Sequence, residues 1–96
     1  MIEIRKTEYF AKWIDGLRDI RARARVLVRI QRLACGIPGD AKPVGEGVSE
    51  MRIEYGPGYR VYYKRQGKHL IFLLAGGDKR NQKRDIETAL RLAREL

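Results

Sequence analysis

Residues 70–75 read "LIFLLA", six apolar side chains in succession with no polar residue between them. A strand with one solvated face alternates, so an unbroken apolar run of this length reads as a central strand covered over much of both faces. It runs into Gly76-Gly77 and then into "DKRNQKR", where Lys79, Arg80, Lys83 and Arg84 crowd together. On sequence alone the glycine pair reads as a turn that lets the following chain approach another backbone closely. The apolar strand is then a beam that projects cations.

The two preceding stretches do alternate. "VSEMRIEY" sets Met51, Ile53 and Tyr55 against Glu50, Arg52 and Glu54, and "YRVYYK" sets Tyr59, Val61 and Tyr63 against Arg60, Tyr62 and Lys64. "GPG" (56–58) and "RQGK" supply tight connections, which gives an antiparallel meander. Upstream, "IEIRK" (2–6) reads as a short strand. Thr7 caps a helix over 7–18, with Tyr9 or Phe10, Trp13, Ile14 and Leu17 at helical spacing. Asp19 caps a second helix with an apolar stripe of Ile20, Ala24, Leu27, Ile30 and Ala34, and Gly36 ends it. Residues 36–47, "GIPGDAKPVGEG", read as a surface loop. Asn81 caps a last helix striped by Ile86, Ala89, Leu90 and Ala93. The order β-α-α-β-β-β-α predicts one α+β domain over 1–96, a helical hairpin packed on a small sheet. The other sheet face, carrying Arg52, Arg60, Tyr62 and Lys64, is expected to stay at least partly open.

Composition narrows the function. An apolar content of 44% argues for a folded chain, and a chain this short buries roughly 60–70% of its unfolded surface. No apolar run reaches the roughly 18–20 residues a membrane span needs, and no signal-peptide core follows Met1, so the expected compartment is the cytoplasm. Cys35 is the one cysteine, which removes disulfide frameworks and cysteine metal clusters; it reads as a small buried hydrophobe near a helix end. The net charge of +9, from 21 Lys and Arg against 12 Asp and Glu, favours a polyanionic partner or an acidic protein that shields the same surface. No basic stretch carries Trp or Phe on a clean opposite face, which disfavours membrane-surface binding. On the second helix Arg21, Arg25, Arg29 and Arg32 share one side, with no acid between Asp19 and Asp40. That ridge is either a solvated face or a dock for phosphates or an acidic partner.

The ordered set "VSEMRIEYGPGYRVYY", "LIFLLAGGDKRNQKRDI", "YFAKWIDGLRD" and "ARARVLVRIQRLACGIPGD" resembles the RelE/ParE toxin superfamily, in its HigB-like, phage-related "addiction module killer" branch. The likeness covers nearly the whole chain. It implies a type II toxin made beside a neutralising antitoxin encoded by an adjacent gene. RelE-like members cleave mRNA in the ribosomal A site without metal or other cofactor, whereas ParE-like members act on DNA gyrase. Carried over by motif, the implied RNA-cutting positions are Arg52, Arg60 of "GYR", Lys79 of "GGDK" and Gln82. Two departures stand out: Glu50 replaces a lysine of RelE, and "KRDI" stands where RelE has a tyrosine.

Metal-free RNA cleavage drives the ribose 2′-OH against the adjacent phosphate, and needs alignment, charge stabilisation and proton transfer. The planar fork of Arg60 suits a phosphate, with Arg52 converging from the neighbouring strand. Tyr62 shares that face and can donate a proton or position the 2′-OH if nearby cations lower its pKa; the tyrosines equally suit cross-strand packing. His69 opens the last strand at the end away from Lys79 and reads as a surface histidine. The arginine ridge, with Lys64, Gln82 and Lys83, makes up the expected RNA- and rRNA-binding set. Two rival functions are gyrase poisoning and non-catalytic nucleic-acid binding through the ridge.

Overall fold

The computed structural model describes residues 1–96, in the order β1 (Glu3–Lys6), α1 (Glu8–Asp15), α2 (Ile20–Ala34), β2 (Ala41–Gly45), β3 (Val48–Ile53), β4 (Tyr59–Gln66), β5 (Leu70–Asp78), a 3-10 turn (Lys79–Asn81) and α3 (Gln82–Arg94). The strands form one sheet in the order β1-β5-β4-β3-β2. Only the β1–β5 pair is parallel. The α+β class and the element order are as the patterning implies, with one strand added.

That added strand is β2, inside the stretch expected to be a loop. Pro43 lacks an N–H and Gly45 lacks a side chain, and both read as turn residues. An edge strand tolerates them: Pro43 lies opposite Ser49, and the register shifts between Pro43 and Gly45.

β5 lacks alternation for two reasons. It lies between β1 and β4, and helices cover both sheet faces. A bulge also shifts the β4–β5 register between Tyr62 and Tyr63, so Tyr62 faces Ala75 while Tyr63 faces Leu73. Leu74 is the surplus residue, and it joins Ala75 in one core cluster while Leu73 joins the other.

The hairpin α1–α2 covers one face. Phe10, Ile14, Val26, Ile30 and Leu33 pack there on Met51, Ile53, Val61, Tyr63, Ile71 and Leu73. Thr7 caps α1, its hydroxyl accepting from the Phe10 N–H at 3.0 Å and donating to the Leu74 carbonyl at 2.6 Å. Asp19 caps α2 as expected. At the other end Gly36 adopts a φ of +83°, and the Ile37 N–H closes on the Arg32 carbonyl. The stripe of α2 is rotated from the predicted one: Ala22, Val26, Ile30, Leu33 and Ala34 are buried, whereas Ile20 and Leu27 are exposed. Cys35, expected inside, is exposed.

The second face is not open. α3 lies across it, with Ala89 and Ala93 seated on Val48, Tyr62, Leu74 and Ala75, and Ile86 and Leu90 at the margins. Its apolar stripe is as the sequence indicates; what patterning does not give is where that stripe docks. Alanines let the helix approach closely, so Tyr62 is fully buried and Arg60 nearly so.

The glycine pair is likewise not a turn. Gly76 and Gly77 are buried residues of β5, one for each face. A Cβ on Gly76 would overlap the Trp13 ring, and one on Gly77 would overlap the Asp85 carboxylate. Their role is close approach of a ring and a carboxylate to the sheet.

Candidate functional site

The β3–β4 register places Glu50 opposite Tyr62 and Arg52 opposite Arg60, and the β4–β5 register sets Arg60 against Gly77. Alternation sends Glu50, Tyr62, Arg52 and Arg60 to the α3 side. The start of α3 closes over them. The result is a polar cluster built into an otherwise apolar layer.

Glu50 is its centre and is fully buried. One oxygen, Oε2, accepts from the Tyr62 hydroxyl at 2.9 Å and from the Gln82 side-chain amide at 2.8 Å. The other, Oε1, has no hydrogen-bond partner and lies 3.9 Å from Arg60 Nε, which is itself unsatisfied. At that separation the guanidinium balances the carboxylate by proximity rather than by a bond. Burial, then the Glu50 contact, pushes the Tyr62 phenol well above its usual value. It therefore stays protonated as a donor to Glu50.

Asp85, in the first turn of α3, is also buried and rests over Gly77. Its carboxyl is held above the usual aspartate value, first by burial; Arg84, with Nε 3.9 Å away, pulls the other way. Outside this buried layer the 3-10 turn exposes Lys79 and Arg80, and the first turn of α3 exposes Lys83 and Arg84. Arg80 folds back on Asp78 at 2.9 Å, and Asp78 caps the turn through the Arg80 N–H at 2.9 Å. Asn81, the expected cap, makes no side-chain capping bond. Lys79 and Lys83 enter no ion pair, and a shallow cavity of 360 Å³ is lined by Arg80, Asn81, Lys83, Arg84 and Glu87. Lys79 packs beside Gly58 of the β3–β4 connection.

Of the four residues expected to be catalytic, Arg60, Arg52, Lys79 and Tyr62, the junction between β5 and α3 gathers two. Arg60 stands beneath it, 9% exposed, and Lys79 stands free at its surface. Arg52 is drawn toward the sheet edge by Asp40 at 2.9 Å. Tyr62 is a buried support of Glu50, and its pKa moves opposite to the direction a proton donor would need. Gln82, expected to face RNA or solvent, is committed to Glu50. Lys83 is at the junction. Lys64 stands four residues along β4 from Arg60, roughly 13 Å away. His69 is exposed at the far end of β5.

The α2 arginines lie on the hairpin layer and do not join this cluster. Arg29 donates to the carbonyls of Arg52 at 2.6 Å and Pro38 at 3.0 Å, so it holds the chain together. Arg25 lies 4.7 Å over the Tyr55 ring. Arg21 and Arg32 are exposed.

Sequence reasoning missed Glu50 and Asp85 as parts of the site. For Glu50 the signal was present, since alternation already placed it on the face of Arg52, Arg60 and Tyr62. For Asp85 the signal is the empty side of Gly77, which has meaning only once the β4–β5 register and the seat of α3 are known.

Comparison with known proteins places this architecture. A protein of Haemophilus influenzae (strain ATCC 51907 / DSM 11121 / KW20 / Rd), described as an uncharacterized protein, is 47% identical over 95 residues, covering 99% of this chain and 96% of its own. Residues 12–95, from α1 through α3 and including every residue of the buried polar cluster, match the family described as phage derived protein Gp49-like (DUF891). The chain belongs to the Gp49-like family of phage-derived proteins.

Proposed function

We propose that this protein is the toxin of a type II toxin–antitoxin pair, and that it inhibits translation by cutting mRNA on the ribosome at the junction of β5 and α3. The reading rests on the Gp49-like family and on the resemblance to HigB-like toxins. The observation that carries it is the holding of Arg60 beside buried Glu50, opposite Gly77 on the strand that runs two residues later into unpaired Lys79. A cation fixed in a low-dielectric wall interacts more strongly with a phosphate than a solvated one, and loses less entropy on contact.

The roles differ from those the motif alone implies. Arg60 presents its guanidinium to the scissile phosphate, and Lys79 and Lys83 hold flanking phosphates. The first turn of α3 adds its positive dipole end. Glu50, Tyr62 and Gln82 orient Arg60 rather than touch RNA. The reaction is attack of the 2′-OH on the adjacent phosphorus, with loss of the 5′-oxygen as leaving group. Its in-line alignment is supplied in large part by the ribosome, so cleavage of free RNA is expected to be weak.

Burial of Arg60 also dictates the test. Arg60→Ala would leave Glu50 without its balancing charge, so loss of toxicity could mean loss of fold. Arg60→Lys keeps the charge and removes the planar fork. Expressed in cells, it should relieve translation arrest while retaining the parent's urea unfolding midpoint. Full arrest by a folded Arg60→Lys, Lys79→Ala double variant would reject the site.

A further inference from the structure

The apolar stripe that the sequence assigns to the core of α2 is partly outside it. Ile20 is 77% exposed and Leu27 46%, and Val28, outside that stripe, is 44% exposed. Beside Val28 a groove of 530 Å³ runs between α2 and the end of β3. Ala24, Val28 and Ile53 form its apolar part, and Arg21, Arg25, Arg29 and Arg32 stand around it, with Glu54 the one carboxylate on its wall. Two features order it in advance. Arg25 lies over Tyr55, whose hydroxyl donates to Asp19 at 3.1 Å, and Arg29 is tied to main-chain carbonyls. Such a surface needs little rearrangement on binding.

We propose that this groove docks an acidic, amphipathic helical segment of a partner protein. The apolar part favours a protein over nucleic acid, because a phosphate chain gains nothing from covering exposed Ala24 and Val28 above the buried Ile53. The rim requires acidic flanks, since four arginines with one glutamate leave a local positive field. A second copy of the chain fits poorly: it carries +9 and would bring like charges together. Recognition is then helix in groove, with apolar anchors at i, i+3 or i+4, and i+7 between carboxylates. The hairpin and α3 lie on opposite sheet faces, so an occupant here leaves the β5–α3 junction uncovered. Identification of the partner as the antitoxin rests on the toxin reading; the docking itself does not.

The test uses the whole chain and a synthetic helical peptide with leucines at i, i+3, i+4 and i+7 flanked by glutamates. A scrambled peptide of equal composition and a single-stranded RNA oligonucleotide serve as the other probes. The ordered peptide should shift the NMR signals of Ala24, Val28 and Ile53 and bind at least about tenfold more tightly than the scrambled one. Val28→Glu and Arg21→Glu, both at exposed positions, should each weaken it about tenfold, a loss of about 1.4 kcal/mol, with the thermal midpoint unchanged. Shifts confined to the β5–α3 junction, equal affinity for the scrambled peptide, RNA at the groove in place of the peptide, or concentration-dependent shifts there without any probe would each overturn the proposal. The protein encoded beside this gene separates the two readings. If it fails to bind while the ordered peptide still occupies the groove, the toxin reading falls and the docking site stands.

Discussion

The two faces of the sheet come from the same strands and the same alternation, yet only one is dry. Toward the hairpin, Met51, Ile53, Val61, Tyr63, Ile71 and Leu73 meet apolar side chains of α1 and α2. Toward α3, Val48, Tyr62, Leu74 and Ala75 meet alanines, and Glu50, Arg60 and Asp85 are buried among them. The dry face holds the fold by area and shape. The polar face spends part of its interior on orienting one arginine, which is an arrangement associated with function rather than with stability. The arginines of α2 supply the contrast. They are more numerous, but they are exposed, stacked on a ring or tied to carbonyls, and none stands over a buried carboxylate.

Substitutions on the two faces should separate these roles. The largest loss is expected on the dry face: Phe10→Ala removes a fully enclosed ring and should cost about 4 kcal/mol in urea unfolding. On the polar face, Glu50→Ala strands the Tyr62 hydroxyl and leaves Arg60 buried alone, for about 3 kcal/mol. Unchanged stability would mean that Arg60 is not held by Glu50, and the contrast between the faces would dissolve. Gly77→Ala should cost about 2 kcal/mol by overlap with Asp85, and adding Asp85→Ala should recover about 1 kcal/mol of it. Strict additivity would place Asp85 elsewhere.

A smaller effect concerns pH. Burial raises the Asp85 carboxyl above the usual 3.8, so the folded chain keeps this proton to a higher pH than the unfolded chain. Its contribution therefore worsens as pH rises through 3.8 and levels off above the raised value. Asp19, Glu46 and Asp78 are shifted the other way by their hydrogen bonds, so the parent's own profile mixes both signs. The difference isolates Asp85: relative to the parent, Asp85→Asn should gain stability as pH rises through 3.8, and the gain should level off above the raised value. A difference that is flat or shrinks with pH would show that the carboxyl is not disfavoured by burial. The smallest effect on the fold belongs to Lys79→Ala, within about 0.5 kcal/mol because the side chain is exposed, although translation arrest should weaken sharply.

Much of this architecture is legible in the sequence. Alternation in 48–53 and 59–64 sorts the residues of β3 and β4 to their faces correctly, and Thr7, Asp19 and Gly36 mark helix ends where the structure has them. The failures share a cause. Whether Pro43 lies in a loop or an edge strand, whether Gly76-Gly77 turn or receive a ring and a carboxylate, and which side of α2 is buried all depend on long-range packing. Local pattern does not carry that information. The site suffered most, because α3 closes the face that periodicity alone leaves open. Residue type and motif single out Arg60 as the proposed phosphate ligand; that Glu50 lies beside it, and that Tyr62 donates to Glu50, follows from the β3–β4 register and the seat of α3.

Mapping the 5′ ends of cellular messages within minutes of induction tests the central claim most directly. The account predicts new ends inside open reading frames, spaced in codon register, abundant with the parent chain and strongly reduced with folded Lys79→Ala. Intact messages in cells arrested by the parent chain would contradict it, and altered plasmid supercoiling in those cells would reassign the protein to gyrase.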